Sequence, residues 1–340
     1  MPCYAGLDAS KSNTHICVMD SNGNTLMAQR VETSSDAIAN CLRRGRRRYA
    51  RVGIEASSVA NVLYEGLIKS GLPIICIEAR HAHSILKTQP NKTDKEDARG
   101  IANLMRTGTY RIVHIKTANS QFISTLLSAR KILLEKSKDI QNAIRGFLIG
   151  FGIRFDAGRL LTFDSRARAA ISNDRLATAV VRPLLSARLS ILAEIASIEA
   201  ELDEIAAADP VCRLLTTAPG VGTLTALTFR SEVDVPTRFP HSRSIGPYLG
   251  LVPRTFQSGK TEWRGRISRR PDNQLRAALF CSAMIILRRN TRPSWLKVWG
   301  EQVASRRGRK RAVIAVARRL AIALHGMWIT NQPFRWEPPL

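Results

Sequence analysis

The chain has 340 residues, enough for about two domains with cores of their own, and carries a formal charge of +25 with a pI near 10.9. A balance so basic lies outside the range of an ordinary cytosolic enzyme and points to a polyanionic partner, nucleic acid first. An anionic membrane is the rival, but no apolar run reads as long enough to cross a bilayer and no signal-peptide pattern opens the chain, so a soluble, intracellular protein is expected.

Residues 3–9 read as a short buried strand carrying Asp8 near its end, and residues 14–20 alternate as a second strand. Asn22, Gly23 and Asn24 form a turn into a third strand over residues 25–32, which predicts an antiparallel meander. Ser34 caps a helix running to Leu42. Arg43, Arg44, Arg46, Arg47 and Arg48 then crowd the connection to the next strand, either as a solvated face or, as expected on so basic a chain, as phosphate contacts. That strand, residues 51–56, holds Glu55 near its C-terminal end. A helix over 57–70 and a continuous apolar strand over 72–78 follow.

The next helix opens on Thr93, Asp94, Lys95, Glu96 and Asp97, with the spacing of a capping box between Thr93 and Glu96. Asp94 and Asp97 are three residues apart and project from one helical face. Acidic residues in a first turn also serve as a plain solvated cap favoured by the helix dipole, and Asp8 and Glu55 could end their strands as a turn former and a cap. Three antiparallel strands followed by alternating helices and parallel strands is, however, the layout of a ribonuclease-H-like α/β sheet. In that layout Asp8 and Glu55 meet at one edge, and the Asp94 helix crosses it. Four carboxylates converging there repel one another unless cations lie between them, which suits Mg²⁺, with Mn²⁺ as a substitute. Two such ions about 3.5–4 Å apart clamp the attacking and leaving oxygens of a phosphodiester.

Gly6-Leu7-Asp8-Ala9-Ser10-Lys11, Gly53-Ile54-Glu55-Ala56-Ser57 and Lys92-Thr93-Asp94 with Asp97-Ala98 resemble, in order and spacing, the DEDD transposases of insertion-sequence family one-ten, described as bridge-RNA-guided recombinases. The resemblance implies a RuvC-like domain in which Asp8, Glu55, Asp94 and Asp97 are the metal-binding quartet.

Residues 117–149 read as one long amphipathic helix, and residues 150–164 as a break. A second helical region begins near residue 173 and contains Pro183, expected to kink it or to mark its true start. Beyond it Leu184, Ile191, Ile195, Ile198, Leu202 and Ile205 keep a coiled-coil spacing with Arg188 out of pattern, flanked by Glu194, Glu199, Glu201, Asp203 and Glu204. The seam packs either as a hairpin against the 117–149 helix or between protomers. The second is expected, giving a dimer or tetramer, and the resemblance implies the same.

Pro219, Gly220, Val221 and Gly222 read as the turn of a helix-hairpin-helix element, where Gly220 and Gly222 let backbone N–H groups approach a phosphate, or as a mere tight turn. Residues 248–270 read as a glycine-punctuated loop dense in cations, with Arg254, Lys260, Arg264, Arg266 and Arg269 around a hydroxyl at Ser258. Most Ser-Gly pairs in loops are turns. The segment resembles that family's block of Gly-Leu-x-Pro, Ser-Ser-Gly-Gly-Lys and Gly-Arg-Ile-Ser, with Gln257 in place of the first serine and the second glycine not at its place. Aligned on Gly265, Arg266 and Ile267, the nucleophile role falls on Ser258, with Ser268 the weaker candidate. Residues 273–288 and 311–328 read as apolar core helices. Arg306, Arg307, Arg309, Lys310 and Arg311 lead into the second as phosphate contacts, and residues 333–340 as a loose tail.

The expected organisation is a RuvC-like α/β domain over 1–154, a helical coiled coil over 155–209, a mainly α transposase domain over 210–330 and a tail. Six cysteines without a CxxC or paired histidines argue against zinc and for reduced thiols. What the resemblance implies is a cytoplasmic, nucleoid-associated transposase of a bacterium or archaeon. Its partners are donor and target DNA and a structured bridge RNA, and Ser258 forms a covalent phosphoserine link while the acids of one subunit serve the serine of the same or another. The rivals are a metal nuclease using water, an actin-like ATPase, which lacks a second phosphate loop here, and a non-catalytic scaffold.

Overall fold

The computed structural model describes residues 1–86, 93–154, 162–259, 261–267, 274–288 and 292–337. The chain divides into two compact units, Met1–Lys116 and Thr117–Leu340. The long helix expected at the end of the first domain therefore packs with the second unit.

The first unit contains β1 (Cys3–Ala9), β2 (Asn13–Met19), β3 (Thr25–Glu32), α1 (Ser35–Arg44), β4 (Tyr49–Glu55), α2 (Ser58–Lys69), β5 (Ile74–Ile77), α3 (Ala79–Leu86) and α4 (Asp94–Thr107). Its sheet has the order β3-β2-β1-β4-β5, antiparallel across the first three strands and parallel from β1 to β4 to β5. This mixed α/β layout is compatible with the ribonuclease-H-like fold expected. Strand alternation sorts the two faces. Cys3, Ala5, Leu7, Val52 and Ile54 share a core with Ile38 and Leu42 of α1 and Leu63 and Leu67 of α2. The intervening positions face α4, where Cys17 and Met19 join Ala98 and Ala102.

Glycine is required where α4 crosses the sheet. A Cβ on Gly6 would stand 2.2 Å from the Ala98 carbonyl oxygen and 2.3 Å from the Ala102 nitrogen, and one on Gly53 would stand 2.8 Å from Met105 Cγ. The helix starts as the sequence predicts: Thr93 Oγ1 accepts from the Glu96 N–H at 3.2 Å. It ends on Gly108, whose φ of 74° supplies the left-handed cap, and Arg51 donates to the Met105 carbonyl at 2.8 Å.

The second unit contains α5 (Ala118–Gly150), α6 (Phe163–Ile171), α7 (Arg175–Ala208), α8 (Pro210–Leu215), α9 (Thr223–Val233), α10 (Ile245–Tyr248), β6 (Pro253–Ser258), β7 (Thr261–Ile267), α11 (Gln274–Ile286), α12 (Trp295–Arg307) and α13 (Arg309–Thr330). Helices α5 and α7 form an antiparallel hairpin. Ile123 and Leu127 share a core with Leu202 and Ala206, while Ile144 and Leu148 share another with Val181, Leu185 and Phe163 of α6. Arg130 binds Glu199 across the pair. The seam residues Ile195 and Leu202 are thus buried within one chain, the hairpin alternative rather than the favoured one.

Other parts of the second unit correct the expectations or explain them. Helix α7 is capped by Asp174 and runs through Pro183, so the proline does not mark its start. Arg188 breaks the seam because it is 2 % exposed, paired with Asp164 and stacked 5.2 Å over Phe163. The expected cationic loop around Ser258 is a β-hairpin, since β-branched and aromatic residues lie on both sides of its turn. The tail is partly anchored: Phe334 is 6 % exposed and its N–H donates to Thr217 Oγ1 at 3.0 Å. By length and composition alone, α7 and α13 are also apolar enough to cross a bilayer, contrary to the sequence reading. Helix α13 spends that apolarity in the core, burying Val316, Leu320 and Leu324, and α7 carries the Arg188 pair.

Candidate functional site

Asp8 and Glu55 each follow an α4-facing glycine by two residues, so alternation places both acids on the α4 side of the sheet. The parallel register pairs Leu7 with Ile54, which makes Asp8 and Glu55 the next neighbours along two adjacent strands. Both are half-buried. Glu55 also pairs with Ile77 of β5, and its charge, after burial, helps push the neighbouring Cys76 thiol up to about 11. Helix α4 lies over this edge with Ala98 on Gly6, which sets its N-terminal turn, bearing Asp94 and Asp97, toward the Asp8 end.

One residue the sequence reading passed over ties the two parts together. His15 is the antiparallel register partner of Asp8, and its Nε2 stands 3.8 Å from Asp94 Oδ2. Its signal was available in the pattern: an α4-facing position directly across the strand from the first acid. Asp97 is half-buried, whereas the Asp94 side chain is 72 % exposed. Among the described residues no three His, Cys, Asp or Glu side chains stand close enough together to hold a metal ion. The expected convergence is therefore present as placement on one edge and not as a closed cluster. The donor set is nonetheless all carboxylate at the two strand ends and one helix turn, which fits a hard divalent cation and no soft one. Lys92 lies outside the described residues.

In the second unit Ser258 closes β6 and pairs in register with Thr261, with Gly259 at a φ of 56° making the turn. Arg254 lies in β6, and Arg264 and Arg266 lie in β7. Lys260, Ser268 and Arg269 fall outside the described residues. The hairpin also displays Phe256 and Trp263, cross-strand partners with ring centroids 5.2 Å apart.

The other expected nucleic-acid residues divide by what holds them. Arg43 donates to the Ser70 carbonyl at 2.7 Å and Arg47 is half-buried, while Arg44, Arg46 and Arg48 are exposed. Gly220 sits at a φ of 71°, and a Cβ there would stand 2.7 Å from the Ser282 carbonyl oxygen, so both the turn and its packing on α11 call for glycine. Gly222 is exposed at the start of α9 with open space around it. Arg306, Arg307, Arg309, Lys310 and Arg311 are all exposed around Gly308, whose φ is 82°.

Comparison with known proteins covers the same two regions. A DEDD transposase model of the IS110 type matches residues 5–152, and a model described as the transposase IS116/IS110/IS902 family matches residues 212–299. The chain is 28 % identical over 337 residues to the transposase for insertion sequence element IS1111A of Coxiella burnetii, covering 97 % of this chain and 90 % of the relative. It is 27 % identical over 289 residues to the transposase for insertion sequence element IS1328 of Yersinia enterocolitica, covering 84 % of each.

Proposed function

Since the chain belongs to the IS116/IS110/IS902 transposase family and so cuts and rejoins DNA, we propose that it does so as a bridge-RNA-guided recombinase through a phosphoserine intermediate. The placement of Asp8 and Glu55 side by side on the face that α4 covers, with Asp94 and Asp97 at the N-terminal end of α4 above them, supports the metal-dependent part of this reading, and the serine and RNA parts rest on the resemblance of residues 248–270 and of the acid motifs. We read this as the metal end of a RuvC-like domain spanning residues 1–154 in function, with 210–330 as the strand-transfer domain.

Asp8, Glu55, Asp94 and Asp97 would hold divalent metal, Mg²⁺ in our reading with Mn²⁺ a substitute, and bound metal supplies Lewis-acid charge to the phosphodiester oxygens. The chain's own groups do the rest. The Ser258 hydroxyl attacks phosphorus, its oxygen forms the new bond, one bridging DNA oxygen leaves, and the serine proton ends on that departing oxygen. The hydroxyl so formed on an exchanged strand then reverses the step and frees the serine. Arg254, Lys260, Arg264, Arg266 and Arg269 offset the charge of the phosphoryl group. Arg44, Arg46, Arg48, Gly222 and residues 306–311 hold nucleic-acid backbone, with Arg43, Arg47 and Gly220 supporting them. Sequence choice is delegated to base pairing with a structured RNA. Protomers associate as a dimer or tetramer through apolar positions left exposed on the helical hairpin, including Ile132, Leu176 and Leu189.

The test is a denaturing gel of the protein incubated with Mg²⁺, its element's non-coding RNA and labelled junction DNA. Wild type is expected to form a protein–DNA adduct that Ser258→Ala and Asp8→Asn abolish and that vanishes when the RNA is omitted. Cleavage that persists in Ser258→Ala would make water the nucleophile and the protein a metal nuclease.

A further inference from the structure

Helix α12 opens at Trp295 and helix α13 closes at Thr330, and the chain beyond α13 turns back over both. Trp295 Nε1 donates to the Arg335 carbonyl at 2.9 Å, and its backbone N–H donates to the Trp336 carbonyl at 3.1 Å. Between this strap and the two helices lies a groove of about 1090 Å³, several times the volume of one nucleotide. It is lined by Trp295, Trp299, Phe334 and Trp336 together with arginines.

Two guanidinium groups already sit over these rings, that of Arg319 in the lining and that of Arg292 beside it. Arg319 stands 4.1 Å from the Trp299 centroid and 5.6 Å from that of Trp295, and Arg292 stands 4.3 Å from that of Trp336. Phe334 stacks on Trp295 at 6.1 Å with 12° between the planes. A structural core has no need of so many cations: Arg319, Arg335 and Arg292 are exposed, and Glu337 is the one acid along the described lining. The groove also continues into a basic surface. Gln302 lines it, and Arg306, one helical turn further, donates to the Gln302 carbonyl at 3.2 Å. From there the exposed cations of residues 306–311 begin.

We propose that this groove binds an unpaired stretch of nucleic acid, its bases extending the ring–guanidinium stacks at Trp299 and Trp336 while Arg243 and Arg335 meet its phosphates. Flat aromatic faces beside guanidinium planes stack on any base without needing a sequence, and a duplex cannot present those faces. The inference rests on the protein acting on nucleic acid but not on Ser258, so its test uses binding and not cleavage.

The experiment is fluorescence anisotropy of labelled dT12 and rU12 with the full chain over a salt series, alongside a blunt DNA duplex. Stacking resists salt whereas phosphate contacts do not. Trp299→Ala and Trp336→Ala are expected to weaken single-strand binding roughly five- to hundredfold at high salt, with the salt slope and duplex binding unchanged. Trp299→Phe keeps a ring and is expected to stay close to wild type. Preference for rU12 assigns the site to RNA, preference for dT12 assigns it to DNA, and either supports it. Photocrosslinking of a 5-iodouracil-substituted strand to the wild-type chain guards against misfolded variants, since adducts are expected on Trp299 or Trp336. Adducts confined to other segments, or alanine variants that lose duplex and single strand alike, overturn the proposal, as does unaltered single-strand binding.

Discussion

Gly6 leaves no space for a methyl group, because the nearest atoms to a Cβ there belong to the α4 backbone and not to a side chain that can swing away. Gly6→Ala must therefore lift α4 or distort β1, and overpacking of this kind costs about 1–3 kcal/mol. We expect a melting temperature several degrees lower, with DNA cleavage lost before the fold is. Gly71→Ala, with φ 78° but open space, is expected to destabilise without touching cleavage. Two buried thiols give a pH signature of their own. Burial, reinforced by the charges of Glu55 and Asp209, raises Cys76 to about 11 and Cys212 to about 12 from an ordinary 9.0. The unfolded chain loses these protons first, so the thiols' contribution to stability is complete below the ordinary value and falls as pH rises from there through the folded values. Urea midpoints should drop from about pH 8 to about pH 10.5, and the drop should flatten in Cys76→Ala with Cys212→Ala.

The helical hairpin can be tested through its seam. Leu202 is fully buried in a core shared with Ile123, and Ile195 is buried on the same helix. Leu202→Lys is expected to cost several kcal/mol in urea unfolding, because it buries a charge without a partner. Ile132→Lys, at an exposed position, should instead lower the mass measured by light scattering at unchanged midpoint. If Leu202→Lys changed only the mass, the seam would lie between protomers. Strands β1 and β4 were legible in the sequence because a period of two carries each acid two places beyond a small residue, and α4 because Thr93 and the apolar stripe fix its start and face. The β6–β7 hairpin was not, since its arginines mask the β-branched and aromatic residues Thr255, Phe256, Thr261 and Trp263. Arg188 read as a flaw in the seam because its partner, Asp164, comes from another helix. The aromatic groove was hidden for the same reason: Trp295 and Phe334 are distant in sequence and meet only when the chain turns back after α13.

For the molecule as a whole, the formal charge of +25 makes some affinity for nucleic acid inevitable, so binding alone says little about where the contacts are. Salt dependence separates the two contributions, because each phosphate neutralised adds about 0.9 to the slope of log K against log salt on duplex DNA and about 0.7 on a single strand. If the exposed run around Gly308 touches phosphate, replacing Arg306, Arg307, Arg309, Lys310 and Arg311 with Gln should lower the duplex slope by as much as about 4.5. The same treatment of Arg44, Arg46 and Arg48 should lower it by up to about 2.7. A charge-matched control removes five exposed cations from the helical hairpin, Lys131, Lys136, Lys138, Arg175 and Arg182, where the acids of α7 already dilute the positive field. The control takes away the same net charge as the first set but should barely move the slope, since a field spread over the surface changes encounter rates more than the number of counterions released. Anisotropy titrations from low to moderate salt measure all three, and equal losses from the control and the α12 set would reduce both basic clusters to solvated faces.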